Sequence, residues 1–434
     1  MEHKVLLITY YWHPALGPAV QRWSLLVREL QKAGISPIVL TVKDGTYAAS
    51  NPDYDEGSSD VRVIRTATRE PFQIYNWLRG KKKSSAVGMG DVSGNASLLA
   101  KAGNFIRANF FIPDARKGWV PFATKAAKRL IAEENISQVI TTGPPHSTHL
   151  VGMRLKKAFP DIFWLADFRD PWVNMYYNKH LLRTPMAWKK DRQLETRVLN
   201  TADKVVVVSG GVKQEFEDRA RSISLVMNGY DEHDFAKNPQ SQKEDHFIVS
   251  YTGNFTDNQI FDSIWEAFAA VIERHPLGDK VRFRFTGNVS ENIQGIMDDY
   301  CLSPHLEVFP YCPHDEAVEK MVDSDLLLLP IPLSEKNHTI IPAKLFEYLA
   351  SGSPILAIGP PEGFSSDVLQ RSERAPMLDY SDQKAMEDLI SKALSKWGEA
   401  EGKRVKYHSD AIKQFSRQEQ AKKLIEVLRD SKSH

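Results

Sequence analysis

Short apolar runs alternate along this chain with longer segments whose apolar residues recur at helical spacing. KVLLI (4–8) is followed by PAVQRWSLLVRELQKAG (18–34) and then by SPIVLTV (36–42). Fully apolar strands separated by amphipathic helices form βα units, because a parallel sheet is covered by helices on both faces. A first series of strands is expected over 5–10, 36–42, 61–65, 138–142, 163–168 and 204–209. A second is expected over 247–251, 281–286, 306–309, 326–330 and 354–358. Helical patterns such as DSIWEAFAAVIERH and HDEAVEKMVDS separate the latter.

The stretch AKNPQSQKEDH (236–246) is polar, contains proline and divides the two series, so it reads as a linker. The expected organisation is α/β: a Rossmann-like domain over 1–235, the linker, a second Rossmann-like domain over 247–412, and a helix over 413–434 returning to the first domain. A length of 434 residues suits two or three domains. RGKKKSSAVGMGDVSGNAS (79–97) reads as a long surface loop. Its Gly-x-Gly follows no strand, so it is not a dinucleotide fingerprint.

Lys and Arg number 56 against 55 Asp and Glu, which gives no reason to expect a nucleic-acid partner. Two cysteines without a CxxC pair argue against a disulfide framework or zinc site, and for a reducing compartment. The longest apolar run, DLLLLPIPL, is broken by Pro330 and Pro332 and falls short of the roughly 18 residues a span requires. A cytoplasmic chain is expected.

Ligands of open parallel sheets bind beyond the carboxyl ends of the strands, so the strand-to-helix loops carry the candidates. In YYWHPALGPAVQRW, Gly17 lets backbone approach a ligand ahead of a helix start, and Arg22 is either a phosphate contact or part of a solvated helix face. In YTGNFTDNQ, Gly253 and Asn254 play the same part. NHTIIPAKLFEYLASGSPILA places Pro342 at a helix start, Lys344 and Glu347 three residues apart on one face, and Gly352 as the C-cap. Lysine and a helix start attract phosphate oxygens, and a carboxylate accepts hydrogen bonds from neighbouring ribose hydroxyls. On spacing alone, a surface ion pair of Lys344 with Glu347 explains the pattern as simply.

Four further features stand out. LADFRDPW clusters Asp167, Arg169 and Asp170 at the end of a strand, as functional groups or as a local Asp–Arg pair opening the turn before Pro171. GPPHSTH offers His146 after another strand, as a functional or a structural histidine. Asp323–Asp325 precede a strand rather than follow one and read as a helix-to-strand junction, so no metal site is implied. No HExxH, Walker A or Gly-x-Ser-x-Gly motif is present.

The ordered series MNGYD (227–231), YTGNF and PAKLFEYLASGSPILA, within two Rossmann-like halves, resembles the retaining GT-B glycosyltransferases of the group 1, family-four-like set. ITYYWHPALGPAVQRW, FIPDARKGW, TTGPPHSTH and ADFRDPW resemble a subgroup of the bacterial polysaccharide-biosynthesis type. The resemblance spans nearly the whole chain and implies two parallel sheets facing a central cleft, with acceptor bound by the first half and donor by the second.

By position, Glu347 matches the acid that binds ribose. Thr339 stands where the family has a second acid contacting the donor sugar. Asp257, Asn258 and Gln259 stand where it has a pyrophosphate-binding lysine, and Lys344 is placed to take over that contact. Arg169 and Asp170 match the loop carrying a polar catalytic residue, with His146 as a further candidate. The implied reaction is transfer of a sugar from a nucleotide-diphosphate sugar to a saccharide or lipid-linked acceptor, with retention and without metal or other cofactor. The departing diphosphate oxygen takes the acceptor proton on the same face. A sugar-nucleotide 2-epimerase and a non-catalytic nucleotide-sugar-binding scaffold are the alternatives. FQIYNWLRGKKK (72–83) and NFIRANFFIPDARKGW (104–119) interleave aromatic and basic residues and raise peripheral contact with the inner face of a membrane, against a solvated loop and a core helix.

Overall fold

The computed structural model describes residues 3–45, 47, 61–70, 105–175, 178, 181–236 and 245–430. The chain divides into two compact units, Met1–Met227 with Ala421–His434, and Asn228–Gln420. The division falls at Met227 and Gln420, where the sequence suggested 235 and 412. Most of the expected linker, 237–244, lies outside the described residues, as do 79–97 and 72–83.

The first unit holds a seven-stranded parallel sheet: β1 (His3–Ile8), β2 (Ile35–Val42), β3 (Arg62–Thr66), β4 (Gln138–Gly143), β5 (Phe163–Phe168), β6 (Lys204–Val207) and β7 (Ile223–Leu225). The spatial order is β3-β2-β1-β4-β5-β6-β7. Side chains of a strand alternate between faces, and β1 feeds two cores in that way. Leu6 and Ile8 pack with Leu40, Val139, Ala166 and Leu130 on one side. Val5 and Leu7 pack with Val39, Ile140 and Leu165 on the other, beneath Trp23 and Leu26 of the helix Pro18–Lys32. The last helix, Arg417–Asp430, adds Ala421, Leu424 and Leu428 to that second face. Gln138 Nε2 donates to the Leu428 carbonyl at 2.7 Å and ties that helix to β4.

The second unit holds a six-stranded parallel sheet: β8 (Phe247–Thr252), β9 (Val281–Thr286), β10 (Leu306–Phe309), β11 (Leu326–Pro330), β12 (Ile355–Ile358) and β13 (Met377–Leu378). Its order is β10-β9-β8-β11-β12-β13. β8 runs in register with β9 from Phe247 opposite Val281 to Thr252 opposite Thr286, and all six of its residues are buried. The short strands β7 and β13 are absent from the sequence-based expectation. Three and two residues long, each is too brief to leave a periodic signal.

In both units chain order runs outward from a central strand in both directions. The order reverses between β1 and β4 in one sheet and between β8 and β11 in the other. The carboxyl ends at such a reversal are splayed apart by diverging connections, which is why ligands of open α/β sheets lodge there.

Candidate functional site

In the second unit the reversal brings the end of β8 beside the helix Ala343–Ser351, which follows β11. Leu345, Phe346, Tyr348 and Leu349 are fully buried and fix this helix on the sheet. Gly352 ends it in the left-handed region at φ 73, which favours glycine. At its start Pro342 caps the helix without a side-chain hydrogen bond, and the first turn carries no acid. The leading N–H groups and the positive end of the helix therefore remain available to an anion.

Lys344 reaches back over β8. Its ammonium lies 3.6 Å from the centroid of the Tyr251 ring, whose hydroxyl donates to the Asn254 carbonyl. Gly253 follows with φ 114, and a Cβ there would stand 3.2 Å from Lys344 Nζ. The backbone conformation thus favours glycine at Gly253, with the lysine tip close beside it. The backbone N–H of Thr252 donates to the Tyr348 hydroxyl oxygen at 3.3 Å and couples the helix to the strand end.

Lys344 and Glu347 are half-buried, and among the described residues neither forms an ion pair or a hydrogen bond. The surface ion pair that spacing alone suggested is not formed. Burial lowers the Lys344 pKa to about 7, against the opposing pull of Glu347. Burial also raises the Glu347 carboxyl, opposed by His314, Arg417 and Lys344, while the negative charge of Asp234 adds to the rise. Two desolvated charges lacking hydrogen-bond partners are costly in a folded protein, and such groups concentrate where ligands bind.

A charged shell surrounds Glu347 within the same unit. The helices Glu232–Ala236, His314–Val322 and Ala343–Ser351 pack against one another. His314 Nε2 lies 3.0 Å from Asp234 Oδ2, and that hydrogen bond raises the His314 pKa, with the charge on Glu347 assisting. Arg417 is anchored through its Nε to the Gly229 carbonyl at 3.2 Å. Sequence reasoning passed over Asp234, His314 and Arg417. A signal existed for His314, which opens the helix after β10 and so belongs to another strand-to-helix loop.

Of the other candidates here, Asn254 is exposed, and its side chain forms no hydrogen bond among the described residues. Thr339 is half-buried and turns its hydroxyl to the Lys336 carbonyl at 2.7 Å. Asp257–Gln259 form a short turn closed by a Thr256–Gln259 capping box. Asp323 and Asp325 lie between the helix His314–Val322 and β11 as expected, with Asp325 accepting from the Ile248 N–H at 2.8 Å.

In the first unit, Asp167 at the end of β5 accepts from Trp23 Nε1 at 3.0 Å, Thr142 Oγ1 at 2.7 Å and Arg22 at 3.2 Å. Arg22 also donates to the Met227 and Val226 carbonyls at 2.8 and 2.9 Å. It is 3% exposed, which corrects the expected solvated helix face. Gly17 has φ 125 and would meet nothing within 4 Å of an added Cβ, so the backbone stands open ahead of the helix Pro18–Lys32.

His146 precedes the helix Ser147–Ala158 and stacks on Trp172, ring centroids 5.1 Å apart and planes within 6°. His149 stacks on Phe168 at 4.3 Å, with its Nδ1 2.9 Å from Thr141 Oγ1. Burial and the adjacent Arg169 lower the His146 pKa to about 3, so this imidazole is neutral at physiological pH. The backbone of Pro171 opposes that shift. Arg169 donates to the Pro144 carbonyl and to Thr142 Oγ1. Burial raises the Asp170 pKa to about 6, with Arg169 opposing. His146, Arg169 and Asp170 thus share the ends of β4 and β5. Asp114 of the FIPDARKGW stretch is a buried anchor instead, accepting from the Ser147 N–H and hydroxyl at 2.8 Å each.

The two sheets, their strand order and the connecting helices define the GT-B fold. The chain is similar to sucrose-phosphate synthase from Thermosynechococcus elongatus, at 16% identity over 99% of this chain and 98% of that one, with a TM-score of 0.65. It is also similar to a variant of TarM from S. aureus in complex with fondaparinux, α-GlcNAc-glycerol and UDP, at 12% identity over 98% and 99%, TM-score 0.59. A third similar structure is WaaG, a glycosyltransferase involved in lipopolysaccharide biosynthesis, at 12% identity over 98% and 99%, TM-score 0.55. At these identities the likeness establishes the fold. No protein-family model and no curated protein matches the chain.

Proposed function

We propose that this protein transfers a sugar from a nucleotide-diphosphate sugar to a saccharide or lipid-linked acceptor, with retention of configuration, in polysaccharide or glycan assembly at the cytoplasmic face of the membrane. The observation that carries the reading is the pair Lys344 and Glu347. Both lie on one helix at the reversal between β8 and β11, half-buried and without hydrogen-bond partners. In this reading Lys344 and the open helix start take the diphosphate, while Gly253 and Asn254 let backbone approach it. Glu347 accepts hydrogen bonds from the ribose hydroxyls, and Thr339 and Pro342 border the sugar. UDP in the TarM complex makes uridine the first base to test.

The first unit takes the acceptor and presents His146, Arg169 and Asp170 to the reaction. A neutral His146 is suited to hydrogen-bond a sugar hydroxyl. The leaving diphosphate oxygen removes the acceptor proton, and Lys344 with the helix terminus stabilises the charge that develops there. The reading asks for no metal or organic cofactor.

The test is thermal unfolding with UDP, GDP, ADP, CDP and their sugars, comparing wild type with Glu347→Gln. A ligand at a hundred times its Kd stabilises the fold by about 2.7 kcal/mol. One base is expected to raise the Tm, and Glu347→Gln to lose most of that rise. No rise with any nucleotide at millimolar concentration overturns the reading. Binding without nucleotide release in the presence of glycan acceptors indicates a scaffold, and appearance of the 2-epimer of the donor indicates an epimerase.

A further inference from the structure

Lys344 occupies a place that suits an ammonium poorly. The head of a charged lysine has three N–H donors and needs acceptors for them. Here it lies 3.6 Å from the centroid of the Tyr251 ring, and a Cβ added at Gly253 would stand 3.2 Å from it. Among the described residues Lys344 forms no hydrogen bond and no ion pair. A ring face replaces only part of the water that an ammonium loses on burial.

The neighbouring charges do not make up the difference. Glu347, on the same helix, favours the ammonium, but burial outweighs it and brings the Lys344 pKa to about 7. Burial raises the Glu347 carboxyl as well, so the favourable charge is itself disfavoured. The Tyr251 hydroxyl, pushed up to about 12 by burial, stays neutral. Three elements pack on the helix Ala343–Ser351. Two of them bring His314 and Asp234, which bond to each other and, with Arg417, act on Glu347. The third, Asp410–Phe415, carries Asp410 and Lys413, which pair with each other at 2.6 Å on the surface. A diphosphate at the open start of this helix supplies what the fold withholds, oxygen acceptors and negative charge beside the ammonium.

We propose that Lys344 selects diphosphate ligands by taking a proton from solvent as they bind, so that binding and protonation are one event. The inference rests on the donor-site reading above. The proton passes from the buffer to Lys344 Nζ on binding and returns on release. Ligand and proton then strengthen each other's binding by the same factor. A nucleoside without phosphate brings no acceptor and draws no proton.

The experiment is titration calorimetry of the full chain with UDP-, GDP-, ADP- and CDP-glucose across pH 6 to 8. Two buffers of different ionisation enthalpy are used at each pH, which counts the protons exchanged. The diphosphate of a nucleotide sugar is esterified at both ends and does not titrate near neutrality, so the count belongs to the protein. Lys344→Arg is charged throughout this range and Lys344→Met never is, while both leave Glu347 and His314 to titrate. Wild type is expected to take up more protons than either variant, by about 0.5 per ligand at pH 7 and about 0.9 at pH 8. Relative to Lys344→Arg, its Kd is expected to rise about tenfold from pH 6 to pH 8. The free nucleoside is expected to show no such excess. Nucleotide-sugar binding with equal proton counts and parallel pH profiles in wild type and variants overturns the inference and leaves the donor site standing. No binding of any of the four at any pH overturns the donor-site reading, and the inference with it.

Discussion

The two units share a strand order and place charged groups near the carboxyl ends of their strands, yet they treat those charges in opposite ways. In the first, Asp167 is fully enclosed and receives an indole, a hydroxyl and a guanidinium, while Arg22 spends itself on Asp167 and two carbonyls. In the second, Lys344 rests on the face of Tyr251 and Glu347 has no donor among the described residues. A buried charge bonded in this way is a strut. A desolvated charge without such bonds is held for something that arrives, because nothing in the fold repays its loss of water. The difference also distinguishes variants that should unfold the protein from variants that should leave it folded and unable to bind.

The largest expected effect breaks the strut. Asp167→Ala strands the buried guanidinium of Arg22 along with Trp23 Nε1 and Thr142 Oγ1, and removing one member of a buried pair costs about 3–5 kcal/mol. Urea unfolding measures it, and a loss below about 1 kcal/mol would mean that the network does not hold the sheet edge. Lys344→Met is the converse case and sharpens the contrast. Replacing a desolvated charge with an apolar chain of similar length should leave stability unchanged or raise it by about 1 kcal/mol. Nucleotide affinity should fall by about 2 kcal/mol, the scale of a charge-assisted bond to phosphate. The sign against pH follows from the Lys344 pKa near 7, below the ordinary lysine value of 10.5. The folded state resists protonation, so this group costs stability most at and below pH 7. The cost shrinks as pH rises toward 10.5, and the stability gap between wild type and Lys344→Met should close over that interval.

Strands such as KVLLI and LLLLP were legible because each is a largely apolar run covered on both faces. The helix start at Pro342 and its stop at Gly352 were legible for equally local reasons, a fixed φ and a left-handed cap. What escaped was long-range. Nothing local to LADFRDPW indicates that Asp167 meets a tryptophan 144 residues earlier, nor that Arg22 turns inward to carbonyls more than 200 residues away. Helical spacing put Lys344 and Glu347 on one face but left open whether they pair, since that depends on Tyr251 and the bare Gly253 offering the ammonium another place. The shell around Glu347 draws on helices beginning at Glu232, His314 and Arg417, a set that only the folded unit assembles.

That shell gives the smallest effect and tests how far the contrast between units extends. Asp234 and His314 are bonded to each other, so within a region of reserved charge they behave as a strut. The His314 pKa is raised above 6.5, first by its hydrogen bond to Asp234 and then by the charge of Glu347, while burial and Arg417 oppose it. A raised histidine contributes stability that is fully present below the unfolded pKa and is lost as pH rises through the folded one. Both side chains remain partly solvated, so the pair should be worth only about 0.5–1 kcal/mol. Asp234→Asn should therefore lower the Tm by a degree or two (about 0.5–1 kcal/mol in a domain of this size) at pH 5.5, and change it little at pH 8.5. An equal loss at both pH values would show that Asp234 serves helix packing and not the histidine. No loss at either would place His314 with Lys344 and Glu347, among the groups the fold leaves for a ligand.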